Sequence, residues 1–484
     1  MELKELLRGV EVLETTASED LDIAGVAYDS RKVTAGGLFV AVSGFQTDGN
    51  RFIPMALEKG AAAVVTAKKP EGDVPYILVP SDRLALALIG ANYYGHPAEQ
   101  MTMIGVTGTN GKTSVTLLLK QVLEKTLGAK VGLIGTVENC IGDEILPTER
   151  TTPESFELQG LFRQMLDAGC THVVMEVSSH SIALDREGGI HFQAAAFTNL
   201  TEDHLDFHHT MEAYCDTKAE LFARCDQAVL NRDDPWFDRM KAKAACPILT
   251  TSWHPGAELY AEDVSLRADG VSFTAALGEE RAKVSLPIPG SFAVSNGLTV
   301  LGLAAVLGIP LSQAAAALSE AKGVKGRLEV VPTPGKPYTV LIDYAHTPDG
   351  LENVLSSVKG YCKGRLIAVF GCGGDRDPLK RPIMGAIGAK YADVCIVTSD
   401  NPRTEDPEAI IKQILAGMPE NSYIAIENRP KAIGYALDIA KKNDIIVLAG
   451  KGHETYQEIN GVKRHMDERE IVADHLAERL KSNG

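Results

Sequence analysis

Short apolar runs, each followed by a polar turn and then a stretch of helical spacing, recur along this chain. In the first block, Leu38–Val42, Ala62–Thr66 and Tyr76–Val79 are β-like runs set between helical stretches and turns such as Ala35-Gly-Gly37. Glycine and proline in Tyr94-Gly-His-Pro97 punctuate the end of that small α/β unit. In the second block, the apolar run ending at Val106 is followed by Lys130–Ile134, His172–Met175, Ala194–Phe197 and Gln227–Leu230. These runs are apolar throughout rather than alternating, which predicts parallel strands covered on both faces. Residues 256–288 do alternate, as in Gly270–Thr274 and Ala282–Leu286, and predict an antiparallel addition to that sheet. The last block alternates strand and helix again, with strands at Tyr338–Ile342, Arg365–Phe370, Val394–Thr398, Ser422–Ile426 and Asp444–Leu448. The pattern predicts an α/β protein of three domains, at 1–99, 100–331 and 332–484. A length of 484 residues is too great for one core and agrees with that division.

The most informative segment is Met103-Ile-Gly-Val-Thr-Gly-Thr-Asn-Gly-Lys-Thr-Ser114, with helical spacing from Lys112 to Lys125. A strand, a glycine turn and a helix N-terminus in that order aim backbone N–H groups and one lysine at a single point, which suits phosphate. Thr113 offers a hydroxyl to the Mg²⁺ that accompanies a nucleoside triphosphate. The general phosphate-loop pattern has its first glycine where this chain has Val106; here the glycine is Gly108.

Composition narrows the class. Charged residues make up 23% and apolar ones 45%, as in ordinary soluble proteins. The balance is acidic, 48 basic against 64 acidic side chains, which argues against a broad nucleic-acid surface. Eight cysteines lie scattered without a Cys-x-x-Cys pair, a pattern of reduced, buried thiols in a cytoplasmic protein. The N-terminal segment mixes charges through its apolar residues, unlike a signal peptide, and no apolar run approaches the ~20 residues that span a bilayer.

Polar clusters follow the predicted strands, at the sheet edge where open α/β folds bind ligands. His172–Met175 leads to Glu176-Val-Ser-Ser-His180, and the strand near Phe197 leads to Thr198–His208. Glu176 and His204 are therefore candidates to hold a divalent cation beside the phosphates. Taken singly, such a Glu more often caps a helix and such a His more often makes one satisfied hydrogen bond; their places on successive strand ends favour the metal. Lys218 sits in a helical pattern, Met211–Phe222, and by default is a solvated surface lysine. In the last block Asp343 follows the first strand and is placed for a ribose hydroxyl. Gly371–Asp377, Asp400-Asn-Pro-Arg403 and Gly450-Lys-Gly-His-Glu454 follow later strands. Two arginines and a glutamate at one mouth suit a zwitterion with more than one carboxylate, since arginine forks pair bidentately with carboxylates. A surface salt-bridge network is the plainer reading of the same residues.

These motifs together resemble the Mur ligases, the ATP-dependent amide-forming enzymes of peptidoglycan precursor synthesis. The resemblance runs over essentially the whole chain and rests on Gly108–Thr113, Glu176–His180, Asn199 with His204-Leu-Asp206, Tyr214 with Lys218, Asn296, Arg327, Asp343–His346 and Asp400–Arg403. It implies an N-terminal UDP-binding domain, a central P-loop ATPase-like domain and a C-terminal Rossmann-like domain that binds an amino acid. ATP would be held by Gly108, Thr109, Asn110, Gly111, Lys112, Thr113 and Ser114. Asn296, Arg327, Asp343 and His346 would complete the nucleotide site at the junction of the second and third blocks. Thr113, Glu176, His204 and Lys218 would serve Mg²⁺, and Lys112, Glu176, His204 and Lys218 would be catalytic. Lys218 takes on a new meaning here, because the matching family lysine is carbamylated by CO₂ and becomes an anion (N6-carboxylysine).

The resemblance further implies that the substrate is UDP-N-acetylmuramoyl-L-alanyl-D-glutamate. Ser30 with Phe45, Gln46 and Thr47 would hold its UDP end, and Thr151, Thr152, Ser178 and Arg186 its muramoyl-dipeptide part. Where the family often has Gln, this chain has Leu184. The glutamate γ-carboxylate would attack the ATP γ-phosphate, and an incoming amine would open the acyl phosphate as the last domain closes over the central one. Arg376, Asp400, Asn401, Pro402, Arg403, Gly450 and Glu454 would hold the amino acid. Meso-2,6-diaminopimelate is the expected one: it carries a distal carboxylate, without which a buried Arg403 would stay unpaired at about 1–3 kcal/mol. The competing readings are a related ligase that adds L-lysine or extends folylpolyglutamate, and, from another class, a nucleotide-binding regulator without turnover. A cytoplasmic monomer, with neither nucleic acid nor membrane insertion, is expected.

Overall fold

The structure is a computed structural model and describes residues 1–44, 47–148 and 150–482. The chain forms two compact units, one of residues 1–250 with 302–309 and the other of residues 251–301 with 310–484. Among the described residues no helix is long and apolar enough to cross a membrane, and every cysteine is a free thiol.

The first unit carries two sheets. The smaller has the order Glu14–Thr15, Tyr76–Leu78, Ala63–Thr66, Leu38–Val40, Val26–Ala27, parallel except for its first strand. The larger places Thr102–Thr107 between Ala194–Phe197 and His172–Glu176, with Ala228–Asn231 beyond the former and Val131–Ile134 beyond the latter, all parallel. The predicted strands occur within a residue or two of their expected ends, because most of each apolar run is buried. The antiparallel hairpin Asn139–Ile141 with Glu144–Leu146 extends this sheet and was not expected; its outer strand is exposed or half-buried and lacks an apolar run. Helix Asp82–Tyr94 packs on helix Ser155–Asp167, with a Cβ on Gly90 reaching 3.4 Å from Phe156. The two helices thereby join the two sheets into one body.

The second unit contains the antiparallel strands Leu259–Arg267, Gly270–Leu277 and Glu280–Leu286, as the alternation between 256 and 288 predicts. Its main sheet has the order Glu329–Val331, Thr339–Asp343, Ile445–Ala449, Leu366–Phe370, Val394–Val397, Tyr423–Ala425, parallel apart from the first strand. Successive residues of one strand enter opposite cores: Leu341, Ala368 and Val447 pack on one face, Ile342, Ile367 and Ile446 on the other. That is why the strands read as unbroken apolar runs. The hairpin Tyr456–Ile459 with Val462–His465 stands apart and is bridged to Arg403 at Ile459.

One ion pair beneath this sheet is fully buried. Arg429 Nε donates to Glu468 Oε1 at 2.8 Å, both side chains are 0% exposed, and Arg429 Nη2 donates to the Ala449 carbonyl at 2.8 Å. It fixes the N-termini of two helices, Arg429–Ile439 and Glu468–Ser482, under the strand end that precedes Gly450. Breaking such a pair leaves an uncompensated buried charge, so Glu468→Ala should cost about 3–5 kcal/mol. Joint replacement of Arg429 and Glu468 by Met and Leu should cost less than that single change. Denaturant unfolding of both variants tests this, and a single-variant loss below ~1 kcal/mol would contradict it.

Candidate functional site

Strand Thr102–Thr107 ends in Gly108, and helix Lys112–Leu127 starts after Gly111, so the expected strand, turn and helix are in place. Gly108 has φ +142° and a Cβ there would lie 1.9 Å from Thr198 Oγ1. The displaced glycine of this loop is thus required where it stands, by backbone conformation and by close approach. The loop is strapped to the segment after strand Ala194–Phe197. Thr198 Oγ1 donates to the Asn110 carbonyl at 2.6 Å, Asn110 N–H donates to Asn199 Oδ1 at 2.9 Å, and Thr109 N–H donates to the Asn199 carbonyl at 2.8 Å. Thr109 Oγ1 and Tyr214 OH lie 3.2 Å apart. Thr113 and Ser114 are buried in the first helical turn.

Lys112 folds back on the loop, its Nζ donating to the carbonyls of Gly108 at 2.8 Å and Thr109 at 2.9 Å. Lys218 meets the same Gly108 oxygen at 3.0 Å. The default reading of Lys218 as a solvated surface lysine is therefore corrected: its residue is 1% exposed, on the inward face of helix Met211–Ala219 with Tyr214, Cys215 and Ala219. Burial, and next the charge of Lys112, hold its pKa well below the usual lysine value. A neutral amine is the form that reacts with CO₂.

Glu176 is buried at the end of its strand, with Oε1 accepting from Thr136 N–H at 2.9 Å and Oε2 from Thr136 Oγ1 at 3.0 Å. Gly135 makes room for it, since a Cβ there would lie 2.7 Å from Glu176 Oε1. His204 is exposed, in left-handed backbone (φ 53°), with its ring edge-on to His180 at 4.7 Å. Local desolvation lowers its pKa, with the charge of Asp203 opposing. Among the described residues no three His, Cys, Asp or Glu side chains gather closely enough to hold a metal by themselves. Thr113, Glu176 and His204 supply at most one donor each, the kind of sparse protein contribution that Mg²⁺ beside phosphates and water would need.

Next to Glu176, four predicted substrate residues come together. Thr152 Oγ1 donates to the Glu176 carbonyl at 2.8 Å, Ser178 N–H donates to Thr152 Oγ1 at 3.4 Å, and Arg186 Nη1 donates to the Thr152 carbonyl at 2.9 Å. Thr151 Oγ1 lies 3.0 Å from Thr136 Oγ1. Ser178 also caps the short helix Ser179–Ala183, and Leu184 is its half-buried C-cap. Ser30 is buried after strand Val26–Ala27, and Thr47 is exposed; Phe45 and Gln46 lie outside the described residues.

In the second unit, Asn296 is buried on helix Ser291–Val306, and the Arg327 guanidinium lies over the Tyr344 ring at 5.3 Å. Tyr344 also contacts His346, which is exposed, at 4.7 Å between ring centroids. Asp343, expected to serve a ribose hydroxyl, first braces its own loop: Oδ2 accepts from Leu328 N–H and Oδ1 from Ala345 N–H, both at 2.8 Å.

The strand ends of the main sheet gather the remaining residues. Asp400 Oδ1 accepts from Asn401 N–H at 2.6 Å, and a Cβ on Gly450 (φ +113°) would lie 2.6 Å from Asp400 Oδ2. Asn401 Nδ2 donates to Glu454 Oε2 at 2.9 Å, and Pro402 is buried. Arg376 is exposed, its Nη1 donating to the Asp375 carbonyl at 3.2 Å. Arg403 is not the unpaired buried cation that the sequence argument assumed. It is 22% exposed, Nη1 donates to the Gly374 carbonyl at 2.7 Å, and Nε faces Glu458 Oε2 at 3.4 Å. Two residues here were missed. Lys451, fully buried, donates to Asn401 Oδ1 and Glu454 Oε2, both at 2.7 Å. It stood inside the Gly450–Glu454 run, where a lysine next to a recognised glycine was the available signal. Glu458, on the hairpin, had none.

Three family models match the chain: "Mur ligase family, catalytic domain" over residues 22–94, "Mur ligase middle domain" over 106–304, and "Mur ligase, glutamate ligase domain" over 326–452. The chain is 48% identical over 486 residues (99% of it and 100% of the relative) to the UDP-N-acetylmuramoyl-L-alanyl-D-glutamate–2,6-diaminopimelate ligase of Caldanaerobacter subterraneus subsp. tengcongensis. It is 46% identical to the ligase of the same name from Clostridium botulinum, over 94% of this chain and 96% of the relative. A solved structure of an enzyme with that name superposes with a TM-score of 0.74 at 32% identity, covering 99% of each chain. With the phosphate loop, the buried lysine beside it and the strand-end motifs all present, the chain belongs to the Mur ligase family.

Proposed function

We propose that this protein joins meso-2,6-diaminopimelate to the D-glutamyl γ-carboxylate of UDP-N-acetylmuramoyl-L-alanyl-D-glutamate, consuming ATP. The observation that carries the reading is the turn Asp400–Arg403, which sets a guanidinium at the mouth of a strand-end cluster with Glu454 and Gly450. Relatives of nearly the same length, 46–48% identical, bear the name of this activity. Ser30, the 45–47 turn, Thr151, Thr152, Ser178 and Arg186 would hold the UDP-muramoyl-dipeptide. The loop 108–114 would take the ATP phosphates, with Asn296, Arg327, Asp343 and His346 serving the nucleoside. The protein works as a cytoplasmic monomer of three domains in this reading.

Lys112 would leave the loop carbonyls for the phosphates and offset the charge that builds up as the γ-carboxylate attacks the γ-phosphate. That attack expels ADP; the acyl phosphate so formed is attacked by the neutral amine of the incoming amino acid, and the tetrahedral intermediate loses the amine's proton and collapses to amide and inorganic phosphate. Thr113, Glu176, His204 and Lys218 would hold Mg²⁺, which supplies positive charge at the phosphate oxygens. The neutral amine of Lys218 would add to CO₂, losing a proton and becoming an anionic carbamate in a pocket that disfavours the ammonium.

Two outcomes are expected. With ¹³C-labelled bicarbonate near neutral pH, carbon NMR should show a carbamate signal in the wild type that Lys218→Arg lacks, and this variant should lose at least ~100-fold in turnover. A wild type without that signal over a range of bicarbonate concentrations would sink the lysine's assignment. Arg403→Ala should raise the diaminopimelate KM by about tenfold or more while the ATP KM stays within about twofold, since the lost contact touches only the amino acid. An unchanged diaminopimelate KM, or preferred incorporation of L-lysine by the wild type in a competition read by mass spectrometry, would refute the substrate.

A further inference from the structure

The Arg403 guanidinium has a resident counter-ion. Glu458 lies on the hairpin strand Tyr456–Ile459, and its Oε2 is 3.4 Å from Arg403 Nε. The pairing is built into the backbone. Arg403 N–H donates to the Glu458 carbonyl at 3.1 Å, Asn460 N–H donates to the Arg403 carbonyl at 2.8 Å, and Glu458 N–H donates to Asn401 Oδ1 at 2.9 Å. Arg403 is held in left-handed backbone (φ 50°) by this strap. The carboxylate is one-quarter exposed and needed for none of these bonds, so it stands beside the arginine by virtue of register alone.

The neighbouring anion is compensated as well. Glu454 is matched by the buried ammonium of Lys451 at 2.7 Å. Arg403 Nη1 is spent on the Gly374 carbonyl, and Nη2 makes no hydrogen bond among the described residues, which leaves that edge to a ligand. A carboxylate arriving at Nη2 would share the guanidinium with Glu458 and bring two anions together. That crowding is relieved only if the same ligand group carries a cation.

We propose that Glu458 is a specificity-determining residue: with Arg403 it forms a paired plus-and-minus site that admits a distal head group bearing both carboxylate and ammonium and disfavours one bearing carboxylate alone. This rests on the substrate reading above and assigns to one carboxylate the task of rejecting near-analogues. Selection of this kind works by a repulsive element set against the wrong ligand. An amino acid ending in ammonium alone would satisfy Glu458 and leave Arg403 without a ligand anion; one ending in carboxylate alone would face Glu458 uncompensated.

The test uses the full chain. Wild type, Glu458→Gln and Glu458→Ala are each given saturating ATP and UDP-muramoyl-dipeptide. They are offered meso-diaminopimelate, 2-aminoheptanedioate (the analogue without the distal amine) or L-lysine, and kcat/KM is read for each. Both variants should raise the ratio of 2-aminoheptanedioate to diaminopimelate by about tenfold or more, chiefly through KM, and should lower the relative use of L-lysine. A ratio within about twofold of wild type in both, or an equal loss for all three amino acids, would overturn the proposal. Loss of folding in both variants, seen as an early melting transition, would also overturn it, because a selector held by backbone bonds must be dispensable for the fold. A wild type inactive with diaminopimelate would instead sink the substrate reading itself, before any variant is compared.

Discussion

Two lysine side chains converge on the carbonyl oxygen of Gly108, and much of the first unit is arranged to make that possible. Lys112 reaches it from the helix that follows the loop; Lys218 reaches it from a helix more than a hundred residues later. Lys218 is buried, and one carbonyl dipole cannot offset two neighbouring positive charges there. The buried member therefore yields, and Lys218 is driven toward the neutral amine. The oxygen is fixed in turn by the glycine's unusual φ and by the strap of Thr198 and Asn199. Any side chain at 108 would strike Thr198 and displace the oxygen that both lysines share.

A constraint of the same kind organises Glu176. Its carboxylate is almost wholly buried, yet both oxygens accept hydrogen bonds from Thr136. A buried carboxylate without partners would be strongly disfavoured, and Thr136 removes that cost while leaving lone pairs for a cation. The Glu176 carbonyl is used as well, by Thr152, which also meets Ser178 and Arg186. Metal-binding and substrate-binding candidates are therefore two sides of one hydrogen-bonded turn at the end of one strand.

Much of this was legible in the sequence, for identifiable reasons. Parallel strands such as Leu366–Phe370 are buried on both faces and print an apolar run, so the sheets could be read almost to the residue. Two-residue strands such as Val26–Ala27, and the hairpin at 139–146, are held by pairing rather than by apolar content, and the sequence carries little trace of them. Spacing alone leaves Lys218 a surface lysine, although the signal of its burial is present. Tyr214, Cys215 and Ala219 mark one helical face, and position 218 falls on it four residues after Tyr214. Glu458 left no mark, because its meaning comes from strand register opposite Arg403, and register is a property of the fold.

The loops at the ligand edge of the second unit show why ion pairs serve where apolar packing cannot. Gly371–Asp377, Asp400–Arg403 and Gly450–Glu454 are largely buried yet contribute few apolar side chains, so apolar packing alone does not hold them. Carboxylates do so by accepting from backbone and cation at once. Glu405 accepts from the Asp375 N–H and from both terminal nitrogens of Arg381, and Arg381 Nη2 also reaches the Gly373 carbonyl. Glu329 takes the Gly326 N–H and pairs with Arg469, whose Nη2 holds the Gly452 carbonyl. Each loop is thus clamped by a cation already matched to its own anion. A mouth built from matched pairs carries little net charge to attract a lone ion and a dense array of local dipoles to align a zwitterion. An amino acid bearing a second amino-acid head group complements such a surface.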